Sequence, residues 1–436
     1  MQARTLALPT MLFITLDGSD FISFHRRKLT IITLNAFNTI QIDKMECRII
    51  ISPISDHETR QMHTINNTNP LAIKKSLFNL SVQELRDWLQ QQRQPTFHAD
   101  QIMQWIYQKH VASFDQMSNL SKTLRAQLDD TFTIHTPPVI ARQHDDADGT
   151  TKILMQLHDQ EGIEAVRMPR FSSRAFTNPK TGKVKSAQEN HPGDQTVCLS
   201  TQAGCLFACR FCASGQMGLK RNLSAGEIVA QPLVFARENL PFSRIVFMGT
   251  GEPLHNFDAL RKAIEIFCEK QAFGFSPRRL TVSTVGLVPE IYRMAKEDWK
   301  VKLAVSLHAT TDEKRAELIP LAKAYQLDQL MDALRFYQNR NKRRISFEYL
   351  MIDRMNDKPK DVERLARLCD GLLCHVNLIP YNPVPKSPFR PSSPSQIEQF
   401  KKGLLEKNFD ATVRYSRGRH IEAACGQLRL RHSQSG

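Results

Sequence analysis

RIVFMGTGEPLHNFDALRKAIEIFCEKQ, Arg244 to Gln271, holds one complete repeat of the fold. RIVFMG is a short apolar run of the kind that forms a strand buried on both faces. GTGEPLHN supplies turn residues, and FDALRKAIEIFCEKQ reads as a helix. The same rhythm extends in both directions. Upstream, the strand TVCLS (Thr196–Ser200) precedes the helix SAGEIVAQPLVFAREN, whose Ser224 and Glu227 spell a capping box. Downstream, the strands RLTVSTVG, VKLAVSLHA, ISFEYLMI and HVNLIPYNP alternate with the helical segments LVPEIYRMAKED, TDEKRAELIPLAKAY, LDQLMDALRFYQNR, PKDVERLARLCDG and PSQIEQFKKGLLEKN, and ATVRYS closes as a strand. Six βα units in series predict an α/β protein: a parallel sheet with helices outside, curled as a TIM-like barrel or partial barrel. GTGEP lacks the third glycine of a dinucleotide fingerprint, so a Rossmann reading fails.

The 436 residues are enough for two or more domains, with 41% hydrophobic and 24% charged residues as in ordinary soluble proteins. Lys and Arg outnumber Asp and Glu by 59 to 44, a formal charge of +15 that favours a polyanionic partner, nucleic acid first. No segment approaches the roughly 18–20 apolar residues of a membrane span. The early run Leu6–Leu16 contains a proline, stops at Asp17 and lacks a signal-peptide layout. Nine cysteines, unevenly clustered, do not read as a disulfide framework and point to a reducing cytoplasm. Nothing speaks to oligomeric state, for which a monomer is the default.

Ahead of the barrel, residues 76–170 form a small helical module leading into a hairpin. LSVQELRDWLQQQ opens on a capping box at Ser81 and Glu84, FHADQIMQWIYQKHV sets Ile102, Met103, Ile106 and Tyr107 on one face, and SNLSKTLRAQLDDTF is a third helix. TKILMQLHD and IEAVRMP read as the hairpin strands. The exposed Lys, Arg and Gln of the module fit an RNA-contacting face and a plain solvated surface equally. Residues 171–194, rich in Pro, Ser, Lys and Asn, read as a mobile basic loop. Residues 1–75 carry no motif. An accessory extension, a disordered one, and sequence upstream of a true start at Met62 are all open readings.

In parallel βα folds the functional groups gather at the carboxyl ends of the strands. The cysteine loop CLSTQAGCLFACRFCASGQMG (Cys198–Gly218) follows the first strand of the barrel and GTGEPLHN (Gly249–Asn256) the second. Ser283 and Thr284 end the third, Ser306 and His308 the fourth, and Asn382 the sixth. Cys205, Cys209 and Cys212, spaced by four and three, can place three thiolates on a 4Fe–4S cubane. Such clusters normally take four thiolates, so three leave one iron open for a small ligand. Structural zinc with Cys198 or His191 as a fourth ligand is the alternative.

The C-x-x-x-C-x-x-C spelling on a βα scaffold resembles the radical S-adenosylmethionine enzymes, and GTGEP resembles the segment that holds the amino group of S-adenosylmethionine. With CLSTQAGC, FMGTGEPLHN, RRLTVSTVGLVP, VSLHA, NLIPYNP and the tail SRGRHIEAACGQLR (Ser416–Arg429), residues 77 to about 430 closely resemble the RlmN/Cfr family of rRNA methyltransferases. The resemblance implies methylation of an unactivated adenine carbon, C2 in one branch and C8 in the other, a step that needs radical chemistry carried by a cofactor. It implies that Cys205, Cys209 and Cys212 hold the cluster and that Gly251, Glu252, Ser283, Ser306, Leu307, His308 and Asn382 hold S-adenosylmethionine. It further implies that Cys425 carries the methyl group as S-methylcysteine, that Glu164 removes the ring proton, and that Cys198 frees the product by forming a disulfide with Cys425. The Arg-Gly of the tail favours the C2 branch. The implied partners are 23S rRNA, tRNA as a second substrate, and a flavodoxin-type electron donor.

Each residue also has a plainer reading. Cys198 and Cys425 can be packed cysteines, Glu164 a strand carboxylate, His308 a satisfied core histidine, and Asn382 a turn former before Pro383. A non-enzymatic RNA-binding metalloprotein is the reading from another class. The basic, aromatic stretch RFYQNRNKRRISF (Arg335–Phe347), the 171–194 loop and the tail LRLRH are candidate phosphate contacts.

Overall fold

In the computed structural model, the apolar strand runs lie side by side; Arg244–Phe247 and Leu280–Thr284 alternate buried and half-buried residues, and Lys302–Ser306 is covered at its three central residues. Leu303, Ala304 and Val305 have no exposed surface at all. The structure describes residues 74–169, 195–297, 299–384, 387–415, 418 and 428–429, together with the backbone of short strands within 1–73 and 170–194. Residues 1–73 form a unit of their own, with an antiparallel four-stranded meander between Thr5 and Ile32 and a hairpin pairing Phe37–Ile42 with Ile49–Pro53. The expectations for that extension and for the 171–194 loop otherwise fall outside the described residues.

Three helices open the larger unit: α1 (Val82–Gln91), α2 (His98–Tyr107) and α3 (Lys122–Thr131). The capping box of α1 is closed from both sides, Glu84 N–H to Ser81 Oγ at 3.2 Å and Ser81 N–H to Glu84 Oε2 at 2.7 Å. An antiparallel meander follows, β1 (Val139–Asp145), β2 (Thr150–Gln156) and β3 (Gly162–Pro169). The barrel strands are β4 (Gln195–Leu199), β5 (Arg244–Phe247), β6 (Leu280–Thr284), β7 (Lys302–Ser306), β8 (Ile345–Met351), β9 (Cys374–Pro380) and β10 (Ala411–Val413). The helices between them are α4 (Ala225–Arg237), α5 (Phe257–Cys268), α6 (Val288–Lys296), α7 (Asp312–Leu318), α8 (Leu327–Asn341), α9 (Pro359–Cys369) and α10 (Pro394–Glu406).

All ten strands form one sheet in the order β10-β9-β8-β7-β6-β5-β4-β3-β2-β1. From β4 to β10 every pairing is parallel, and β3 joins β4 antiparallel. Among the described residues β10 and β1 are the edges of the sheet and do not pair with each other, so the barrel is partial, as six βα units predict. The meander is thus an extension of the barrel sheet, which the two-strand hairpin reading did not contain. Its edge strand β1 alternates half-buried and exposed residues, ordinary for a sheet edge.

Two local rules account for the remaining differences. TDEKRAELIPLAKAY reads as one helix, but α7 stops at Leu318 and a 3-10 turn resumes at Pro320. Proline lacks an N–H and pushes the preceding residue out of the helical region; Ile319 is extended, with φ −127° and ψ 101°. The helical module also shares one hydrophobic core with the barrel. Asn79 Oδ1 accepts from Gly226 N–H at 2.6 Å, and Arg237 donates to the carbonyls of Val111 and Ile134 at 2.7 and 2.9 Å. Among the described residues no helix is long and apolar enough to cross a membrane.

Candidate functional site

The parallel order puts the carboxyl ends of β4 to β9 at one mouth, around a cavity of about 300 Å³. Cys205, Cys209 and Cys212 line it, with Gly251 and Glu252 after β5, Ser283 on β6, Ser306 and His308 at the end of β7, and Asn382 after β9. Strand β8 adds Glu348, which the sequence reading passed over although it is the one charge in the apolar run ISFEYLMI. Leu307 is fully buried; its backbone N–H bonds to the Glu348 carbonyl at 3.1 Å, and its side chain is not part of the cavity wall.

Backbone bonds tie the cysteine loop to GTGEP. Gly249 N–H donates to Leu199 O at 3.0 Å, Thr201 and Gln202 N–H both donate to Thr250 O, and Glu252 N–H donates to Gln202 Oε1 at 2.8 Å. Glycine is required at 251, where φ is +105° and a Cβ would sit 2.6 Å from Gln202 Cβ. Gly251→Ala is expected to cost about 1–3 kcal/mol of stability, read as a lower midpoint in chemical denaturation. An unchanged midpoint would show that the loop yields freely.

The hairpin Gln202–Gly204 with Leu219–Asn222 brackets the cysteine loop, and Cys205 N–H donates to Gly218 O at 3.1 Å. Cys212 N–H donates to Cys209 O at 3.0 Å. Burial pushes the Cys205 thiol up to about 11 and the Cys209 thiol well above its usual range, and the neighbouring thiols add to both. Three thiols gathered in low dielectric hold their thiolate form only when a metal supplies positive charge, which is the donor set a cluster needs. Cys198, the candidate fourth zinc ligand, lies within β4 and outside the cavity wall. Among the described residues no three His, Cys, Asp or Glu are grouped around a single-ion position.

Glu252 accepts from Leu254 N–H at 3.0 Å and Val285 N–H at 2.8 Å, and burial raises its pKa to about 7. His308 sits at φ +58° with Leu350 N–H donating to its Nδ1 at 3.1 Å. Burial and the Arg315 charge drive its pKa down to about 3, so the ring is neutral and carries its proton on Nε2. Phe211 of the cysteine loop packs edge-on against it, ring centres 4.7 Å apart. His308 is therefore a satisfied histidine on one nitrogen and a cavity-wall donor on the other. Glu348 is buried, with Oε1 accepting from Asn377 Nδ2 at 2.8 Å.

Cys198 and Glu164 lie outside the cavity wall, on the paired strands β4 and β3, where Cys198 faces Val166 in the register. Both are buried. Glu164 Oε2 is 3.0 Å from Lys152 Nζ on β2, an ion pair closed to solvent. Lys152 escaped the sequence reading too, although a lysine amid TKILM is a signal that an apolar strand buries a charge. Cys425 lies outside the described residues. On either side of it, Gly418 N–H donates to Asp148 at 2.8 Å and Arg429 N–H donates to Glu164 Oε1 at 2.7 Å, so both described flanks of that segment dock on the meander. Of the candidate phosphate contacts, Arg335–Phe347 runs into the amino end of β8, opposite the mouth.

A partial βα barrel with three cysteines and a Gly-Glu turn at its mouth defines a radical S-adenosylmethionine enzyme. Two family models match: the ribosomal RNA large subunit methyltransferase N-terminal domain over residues 75–134 and the radical SAM superfamily over residues 199–369. A probable dual-specificity RNA methyltransferase RlmN of Staphylococcus carnosus is 40% identical, covering 86% of this chain and 98% of its own. A Bacillus thuringiensis protein of the same description is 41% identical, covering 82% and 94%. The crystal structure of a radical SAM methyltransferase from Sphaerobacter thermophilus is similar with a TM-score of 0.73 and 42% identity, covering 81% of this chain and 98% of that one. The chain belongs to the RlmN family of radical S-adenosylmethionine RNA methyltransferases.

Proposed function

We propose that this enzyme methylates C2 of an adenosine in 23S rRNA, and C2 of an adenosine in the tRNA anticodon loop, in the cytoplasm, with a flavodoxin-type protein as electron donor. The observation that carries the reading is the gathering of the three cysteines, Gly251, Glu252, Ser283, Ser306 and His308 on one cavity, in a chain 40% identical to a relative described as dual-specificity.

Cys205, Cys209 and Cys212 hold a 4Fe–4S cluster, and the bound cluster and S-adenosylmethionine together supply the one-electron chemistry that an unactivated adenine carbon requires. Glu252 and the Gly251 backbone take the amino end of S-adenosylmethionine, and Ser283, Ser306, His308 and Asn382 hold the rest. Cys425, as a thiolate, would take the methyl group of S-adenosylmethionine, releasing S-adenosylhomocysteine, and present it as a thioether. Glu164, oriented by Lys152 and by the Arg429 amide, takes the ring proton of the adenine. Cys198, as a thiolate, would then attack the Cys425 sulfur; the S–S bond forms as the carbon–sulfur bond breaks, and the released carbon keeps the electron pair and takes up a proton as the product's methyl group. The target base must be unstacked to reach a recessed mouth, which suits RNA loops.

Mass spectrometry of adenosines from rRNA and tRNA of cells with and without the gene tests this. Loss of 2-methyladenosine from both RNAs on deletion is expected. Loss of 8-methyladenosine instead would move the enzyme to the C8 branch, and loss from rRNA alone would remove tRNA as a substrate.

A further inference from the structure

Arg315 poses a problem of charge. It lies on α7, is 1% exposed, and forms no ion pair among the described residues, where every described salt bridge involves other side chains. One guanidinium N–H, on Nη2, donates to the Val285 carbonyl just past β6 at 2.5 Å. Its Nε is buried with no hydrogen-bond partner. A guanidinium does not lose its proton in a protein, so this is a permanent charge in low dielectric without a carboxylate beside it. Asp312, one turn back on the same helix, acts on it only through space.

The surroundings indicate where the missing negative charge belongs. α7 is laid against the cysteine loop: Arg210 N–H, next to Cys209, donates to Leu318 O at 3.0 Å, and Cys209 packs with Leu318 and Ile319 in one apolar cluster. The guanidinium bonds the carbonyl of Val285, which lines the cavity together with Cys209 and His308, so the charge stands behind the wall that holds the cysteine loop. Gly286 leaves the space the guanidinium occupies, since a Cβ there would come within 3.0 Å of Arg315 Nη2. The bond to Val285 requires only an N–H donor, whereas the guanidinium also brings a fixed positive charge.

We infer that Arg315 is the built-in counter-charge of the iron–sulfur cluster and raises the ease with which the cluster accepts its electron. This rests on the cluster assigned to Cys205, Cys209 and Cys212. With three thiolates the cluster is anionic, and taking one electron from an external reductant adds one negative charge. A fixed buried cation stabilises the reduced form more than the oxidised form, and no proton moves, because the guanidinium stays charged throughout.

The test is a redox titration of full-length protein reconstituted anaerobically with iron and sulfide, without S-adenosylmethionine, comparing wild type with Arg315→Lys, Arg315→Gln and Arg315→Met. At the potential that half-reduces wild type, the neutral variants should show a reduced-to-oxidised ratio about tenfold lower, 59 mV for a one-electron couple, and the lysine variant a ratio close to wild type. Clusters kept by lysine but lost from both neutral variants also support the inference. A wild-type ratio in Arg315→Gln overturns it. So does an equal fall in Arg315→Lys, or loss of the cluster from all three variants, because the role is then the bond to Val285. If wild type itself takes up no cluster, the cluster assignment falls first and this inference with it.

Discussion

Cys425→Ala protein, purified and reconstituted anaerobically, should keep its iron and sulfide, bind S-adenosylmethionine with the same spectral response as wild type, and transfer no methyl group to RNA. The expected loss of activity is at least about three orders of magnitude, the scale on which deleting a covalent nucleophile acts. The separation of the two readouts follows from placement. The cluster thiols line the barrel mouth, whereas the described residues flanking Cys425 bond to Asp148 and Glu164 on the meander. Cys425 is not among the three thiols proposed to hold the cluster, so removing it leaves that ligand set complete. Full activity in this variant would end the two-cysteine scheme.

Cys209→Ala should have the opposite signature, losing both the cluster and all activity. Cys209 is 6% exposed and its carbonyl accepts the Cys212 amide, so it anchors the loop as well as contributing a thiol. Two thiols cannot fill the three iron positions, and iron content after reconstitution should fall to a small fraction of wild type. The spectral response to S-adenosylmethionine should disappear with it. A variant that retained a stoichiometric cluster would show that the trio is not the ligand set. Zinc bound tetrahedrally by the wild-type protein would revive the structural-metal reading.

Much of this architecture is written in short segments. The capping boxes at Ser81 and Ser224 form as spelled, because a serine and a glutamate three residues apart satisfy each other's backbone amides regardless of the rest of the chain. The all-apolar strand runs predict a sheet covered on both faces, and the parallel order from β4 to β10 follows from helices intervening between them. Pro320 was equally readable as a helix stop. The edge strand β1 was not, because VIARQHD is mostly polar and is a strand only through its partner β2.

The sequence by itself determined the order of the βα units, the spacing of the three cysteines, and the presence of Gly251, Glu252, Ser283, Ser306 and His308 at strand ends, because these depend on residues a few positions apart. Only the tertiary structure decided which of them share a cavity, and that Cys198 on β4 and Glu164 on β3 lie outside its wall. It alone brought in Glu348 and Lys152, single charges inside apolar strands, and Arg315, the buried charge of a charged helix, whose partners lie on other elements. It also put the basic segment Arg335–Phe347 at the far end of the barrel. Strand register and sheet curvature bring distant residues together, and neither is encoded within any one segment.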